Sequence, residues 1–131
     1  MKNIEVVAAV LCFEDKILCV QRPENKLPYI SKKYEFPGGK IEAGESQKEA
    51  LKRELVEELN ITPQINDLYL TVNHSYPDFV LTMHSFICIV ERKKVRLNEH
   101  IASQWLTRNE LDLLDWAAAD IPIVSKLMAH E

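Results

Sequence analysis

Glu54, Glu57 and Glu58 stand at i, i+3 and i+4 of one segment, with Arg53 directly before them. If that segment is a helix, each like-charge pair at this spacing costs roughly 0.2–0.5 kcal/mol when merely solvated. Something should compensate. Carboxylates with nearby backbone carbonyls are the hard oxygen donors that magnesium or manganese takes. An ion held there could activate water and neutralise phosphate oxygens. The plainer alternative is a solvated acidic face neutralised by Lys48, Lys52 and Arg53, which is the default for a helix considered alone.

The surrounding chain has to position these groups. Ser46 with Glu49 three residues on is a capping box, and the helix it starts is expected to run to about Leu59. At about 100° per residue Leu51, Leu55 and Leu59 form an apolar stripe, with the three glutamates expected on an adjoining arc. Pro37-Gly38-Gly39 and Ala43-Gly44 break regular structure before it. Ile4 to Cys12 and Lys16 to Gln21 read as a hairpin turning at Glu14-Asp15, followed by a loop from Arg22 to Lys33 and an extended Tyr34-Glu35-Phe36. Beyond the helix, which Thr62-Pro63 closes, Asp67 to Tyr76 and Val80 to Glu91 read as long strands joined through Pro77-Asp78, and Gln104 to Leu106 as a short one. Asn109 to Leu114 and Ile121 to Met128 read as helices, the second with Asp120 as N-cap and Pro122 early, where its missing N–H costs little. The order β-β-β-α-β-β-β-α implies an α/β (α+β) fold in which helices cover a mixed sheet.

Composition sets limits on the function. At 131 residues and 47% hydrophobic, the chain is expected to form a single domain over 1–131 with a real core. The opening Met1-Lys2-Asn3-Ile4-Glu5 has no leader pattern, and the apolar run Val6 to Phe13 is strand-sized, so no membrane partner and a cytoplasmic location are expected. Cys12, Cys19 and Cys88 form no C-x-x-C pair and read as core thiols. A net charge of −4 gives no footprint for long nucleic acid. An anionic ligand must then be small or be carried by a metal.

From Gly39 the chain runs Gly39-x5-Glu45-x7-Arg53-Glu54-Leu55-x-Glu57-Glu58-x-x-Ile61, which resembles the signature of the Nudix hydrolases. The departure is Asn60, where the family usually has glycine. Asparagine tolerates the left-handed conformation of a helix C-terminus, so the change is structural. Glu35-Phe36-Pro37-Gly38-Gly39-Lys40 is similar to the entry of the MutT-type branch. Ile4 to Ala9 and Ala118-Ala119-Asp120-Ile121-Pro122 are similar to bacterial CTP pyrophosphohydrolases.

The resemblance implies a Nudix-like α/β/α sandwich and the hydrolysis of a nucleoside triphosphate to the monophosphate and pyrophosphate, with attack on the inner of the two phosphates beyond the nucleotide. It implies Mg2+, with Mn2+ as the alternative, held by Glu57, Glu58 and the carbonyl of Gly38, with Glu54 as ligand or as the base that orients water. Arg53 would hold Glu54, and Gly39 and Glu45 would anchor the loop and helix. Glu57 is counted with Glu54 and Arg53 in the catalytic group. Glu99, ahead of Trp105, matches a further metal carboxylate of MutT-type enzymes, against the plain reading of a loop acid.

Arg22, Phe36, Gly39 and Lys40 are expected on the substrate side. Lys26, Lys32 and Lys33 are further phosphate candidates, although for any individual lysine plain solubility is the stronger reading. Asp120 matches the position that reads the nucleobase, which competes with its reading as a helix cap. Ionised, it would accept from the amino group of cytosine or from the donors of guanine. Phe36, Tyr76, Phe79 and Trp116 could stack a base, with at least half of them packing instead. His74 and His84 read as structural. CTP, dCTP or a modified pyrimidine triphosphate is the expected substrate, and sanitation of the oxidised guanine nucleotide 8-oxo-dGTP is the alternative. A non-catalytic nucleotide-binding module is the reading from another class, and a monomer or homodimer is expected.

Overall fold

The computed structural model describes residues 1–129, so the last two residues of the expected 1–131 unit lie outside it. Its strands are β1 (Lys2–Phe13), β2 (Lys16–Gln21), β3 (Tyr34–Glu35), β4 (Gly38–Lys40), β5 (Gln64–Ser75), β6 (Phe79–Ile89) and β7 (Ala102–Thr107). The α-helices are α1 (Gln47–Leu59) and α2 (Ile121–Ala129), with 3₁₀ turns at Arg108–Leu113 and Ala118–Asp120. β1 is the organising strand. It pairs in parallel with β6 from Lys2↔Phe79 to Cys12↔Ile89. Its other edge takes β4, through Val6↔Lys40 to Ala8↔Gly38, and then β2, at Cys12↔Ile17. β5 continues the sheet beyond β6, while β2 carries β3 on one edge and β7 on the other.

The unbroken apolar run in β1 follows from this position, because a strand covered on both faces has no polar side. Val7, Ala9 and Leu11 face Ala50, Leu51, Leu55 and Leu59 of α1. Ala8 and Val10 face the opposite way, into a second cluster with Trp116, Ile123, Val124 and Leu127. The α/β/α sandwich and mixed sheet are therefore as expected. Cys19 and Cys88 are buried core thiols, pushed up to about 12 by burial, and Cys12 is partly buried.

Some boundaries differ. Pro37-Gly38-Gly39 is expected to break regular structure, but Gly38 and Gly39 enter the short strand β4 because β1 has a free edge there. β5 begins at Gln64 rather than Asp67 and shifts register on either side of Leu68. The helix expected over Asn109–Leu114 is a 3₁₀ turn from Arg108, with Glu110 accepting from the Thr107 N–H. Among the described residues no helix is long and apolar enough to cross a membrane.

Candidate active site

Two local decisions fix α1, the helix that bears the glutamates, in place. At its start, the Ser46 hydroxyl accepts from the Glu49 N–H while Glu49 accepts from the Ser46 N–H, completing the expected capping box. At its end, Asn60 takes the left-handed conformation, φ 58° and ψ 43°, and its N–H closes on the carbonyls of Leu55 and Val56. The loop after β6 finishes the cap, since the Asn98 N–H bonds the Glu58 carbonyl and its side-chain amide bonds that of Glu57. Glu99 is thereby delivered beside Glu58, whose carboxyl feels its charge.

The three glutamates differ in burial. Glu57 is 52% exposed, Glu54 14% and Glu58 5%. The expected acidic arc is corrected at Glu58, which follows Leu51 by seven residues, just under two full turns, and so falls on the buried face. Burial, then a hydrogen bond with Glu54 and the charges of Glu35, Glu54 and Glu99, push the Glu58 carboxyl far above the usual carboxylate range. Its Oε1 is buried without a partner. An unsatisfied buried polar atom costs about 1–3 kcal/mol, a cost that a group bound at this oxygen would offset.

Arg53 holds the rest. Its Nε and Nη2 donate to the two oxygens of Glu45 at 2.7 and 2.9 Å, Nη1 donates to Glu54 at 2.9 Å, and Nη2 also reaches the Lys40 carbonyl at 3.0 Å. Only a guanidinium offers this many donors in one plane. Glu45 in turn accepts from the Glu42 N–H at 2.9 Å, tying the loop to the helix as expected. The Arg53 bonds, then that N–H, hold the Glu45 carboxyl down at about 2, against an ordinary 4.5.

A depressed folded-state pKa contributes stability above pH 4.5, and that contribution is lost as pH falls through about 2. Glu45→Gln should therefore melt below the parent at neutral pH, with the gap closing between pH 4.5 and 2 in thermal scans. A gap independent of pH would show that Glu45 acts without its charge.

The glycines leave room for the carboxylates. A Cβ on Gly39 would lie 2.4 Å from the Glu54 carboxylate, so that side chain rests directly against the loop backbone. A Cβ on Gly38 would lie 1.9 Å from the Val7 carbonyl oxygen, which fixes how closely β4 meets β1. Among the described residues no three His, Cys, Asp or Glu side chains form a ready-made metal cage. The donor set still fits a hard divalent cation, because Glu54, Glu57, Glu58 and Glu99 offer only oxygens and Glu58 Oε1 stands open.

Where substrate contacts are expected, segment 115–117 runs beside β3, through Tyr34 N–H to the Asp115 carbonyl and Ala117 N–H to the Tyr34 carbonyl. This brings Asp120, far away in sequence, to Phe36, whose N–H donates to Asp120 Oδ1 at 3.0 Å. The helix-cap reading of Asp120 is thus corrected, because its carboxyl turns to β3 rather than to α2. Burial, then the charge of Glu35, push that carboxyl well above the usual range, against the pull of the Phe36 N–H and Arg22. Phe36 and Trp116 are buried and stacked on each other at 4.7 Å, and Tyr76 is buried under Tyr29 and Phe79. Of the four candidate stacking rings, Phe79 alone stays partly exposed.

Arg22 pairs with Glu35 at 3.2 Å and keeps its Nε without a partner. Lys40 and Lys26 are exposed, whereas Lys33 is committed to Asp115 at 2.9 Å. His84 lies against Glu5 and Thr71, and His74 packs edge-on to Tyr76. Sequence reasoning missed His100 and Glu35, joined at 3.0 Å across 65 residues. No local spacing announces such a pair. A cleft of about 690 Å³ lies off the C-terminal end of α1, between Leu59–Gln64 and Ile89–Arg96, and contains none of the box carboxylates.

Comparison with known proteins agrees with this geometry. Residues 6–126 match the NUDIX domain model. The chain is 35% identical to the CTP pyrophosphohydrolase of Escherichia coli K12, over 98% of this chain and 94% of that protein. It is 31% identical to the 8-oxo-dGTP diphosphatase of the same organism, over 97% and 98%. The MutT protein of Methanosarcina mazei Go1 superposes with a TM-score of 0.86 at 27% identity, covering 98% of this chain and 94% of that one. Nudix hydrolases act on small nucleotide substrates and generally need a divalent cation, usually Mg2+. With the Arg53-held carboxylates, the glycine-lined loop and the covered mixed sheet all in place, the chain belongs to the Nudix hydrolases, as an enzyme of the MutT type.

Proposed function

We propose that this enzyme hydrolyses CTP or dCTP to the monophosphate and pyrophosphate, using Mg2+. The observation that carries the reading is the continuity of the carboxylate ledge with the buried acid Asp120 through the single segment Glu35–Gly38. One end suits a metal-bound triphosphate and the other suits a base. Glu57, Glu58, Glu99 and the Gly38 carbonyl would hold the ions. When bound, they lower the pKa of the attacking water and offset charge on the leaving pyrophosphate. Glu54, oriented by Arg53, accepts the proton of that water. Arg22, whose side chain is 36% exposed, and the exposed Lys40 are placed to meet phosphate oxygens.

Asp120 supports the base preference in a way that an ionised carboxylate would not. Burial favours its neutral form, which would present an O–H donor beside an acceptor. Cytosine offers the complement, an amino donor next to the N3 acceptor. Oxidised guanine also offers one, through O6 and the N7–H, and the 31% identity to an 8-oxo-dGTP diphosphatase favours that second reading.

A screen of canonical, methylated and oxidised nucleoside triphosphates for pyrophosphate release with Mg2+ tests the proposal. Cytidine nucleotides should rank first, and no hydrolysis of any of them would sink it. Asp120→Ala should reorder the ranking more than it lowers the rate, while Asp120→Asn, which keeps one donor and one acceptor, should preserve the order. An unchanged order in the alanine variant would leave Asp120 with a purely structural bond to Phe36.

A further inference from the structure

Beyond the box, the site contains a row of polar side chains that neither the metal ligands nor the base pocket accounts for. Arg22 donates to Glu35 Oε1 at 3.2 Å. The other oxygen of Glu35 lies 3.0 Å from His100 Nε2, and the same nitrogen lies 3.8 Å from the orphaned Oε1 of Glu58. The ring is 5% exposed and wedged between two carboxylates. It is fixed on both flanks, by Asn98 bonding the last carbonyls of α1 and by the Ile101 N–H bonding the Gln21 carbonyl on β2.

We propose that His100 is a positioning residue that sets the Glu58 carboxylate for metal. The inference rests on Glu58 being a ligand, as argued above. With Nε2–H given to Glu35, the ring places a donor edge between the carboxylates of Glu35 and Glu58. Glu58 Oε1 is then left without a hydrogen bond, 3.8 Å from that nitrogen, which leaves the oxygen available to an ion. Glu35 is also bonded by Arg22, so the row runs continuously from Arg22 to Glu58. Outer partners of this kind commonly change metal affinity by about 10–100-fold when removed.

The test is equilibrium Mn2+ binding to the nucleotide-free protein, followed by the loss of the free-ion signal in electron paramagnetic resonance. His100→Leu, which fills the space without a donor, should weaken binding about tenfold or more, and His100→Gln, which restores an N–H donor, should recover most of it. The Mg2+ needed for half-maximal activity should rise in parallel in the leucine variant, with a smaller effect on kcat at saturating Mg2+. A folded His100→Leu protein that binds Mn2+ within twofold of the parent overturns the inference, as does a glutamine variant no better than leucine. If the leucine variant does not fold, Glu35→Ala, which frees the ring without removing it, should weaken Mn2+ binding likewise, and parent-like affinity there is equally fatal. A parent that binds no Mn2+ while Glu58→Gln behaves identically would instead remove the metal ledge itself, and this inference with it.

Discussion

Glu54→Gln is expected to lower kcat for pyrophosphate release by about 100-fold or more, the effect of removing a positioned general base. The substitution is nearly isosteric and keeps an acceptor for the Arg53 Nη1–H, which now reaches Glu54 at 2.9 Å. The helix and the Arg53–Glu45 anchor should therefore survive, and the melting temperature should stay close to the parent's. What is lost is the negative charge that takes a proton from water. Glu54 suits that task because it is mostly sheltered, lies against the Gly39 backbone and is held from the other side by a guanidinium. Hydrolysis within tenfold of the parent, with Mn2+ still bound normally, would transfer the base role to another carboxylate of the ledge.

Gly38→Ala should produce the largest change in stability, a loss of about 3 kcal/mol, at or beyond the upper end of overpacking costs. Its Cβ would fall 1.9 Å from the Val7 carbonyl oxygen and 2.8 Å from the Ala8 Cα, and neither can yield because both belong to the backbone of β1, the strand on which the sheet is organised. Urea unfolding reads this directly, and a midpoint equal to the parent's would mean that β4 can detach from β1 without cost. Gly39→Ala provides the contrast. There the clash at 2.4 Å is with the Glu54 side chain, which can move, so activity should fall while the unfolding midpoint changes little.

Much of the site could be read in the chain because its parts are close in sequence. Glu45, Arg53, Glu54, Glu57 and Glu58 share one loop and helix, and the capping box and the left-handed Asn60 are decided by residues within a turn of the ends they close. The gradation among the glutamates was less visible. An arc of carboxylates read from helical spacing treats them as equals, whereas packing against the sheet leaves Glu57 in solvent and Glu58 in the interior.

The residues that join the two ends of the site had no local signal. Asp120 looked like the cap of α2 because it precedes that helix, and its bond to the Phe36 N–H exists only because segment 115–117 lies alongside β3. Aromatic rings suited to stacking a base were visible as types, but their burial against one another was not. His100 stayed hidden beside Glu99, since its partner Glu35 is 65 positions away.

The sequence by itself determined the family, the helix that bears the carboxylates and the ion type those oxygens suit, because these depend on residue chemistry at short, regular spacing. Only the tertiary structure decided which carboxylate is buried, which way Asp120 turns and that His100 stands between Glu35 and Glu58. Burial and long-range hydrogen bonds are properties of the packed sheet, and no stretch of chain carries them alone.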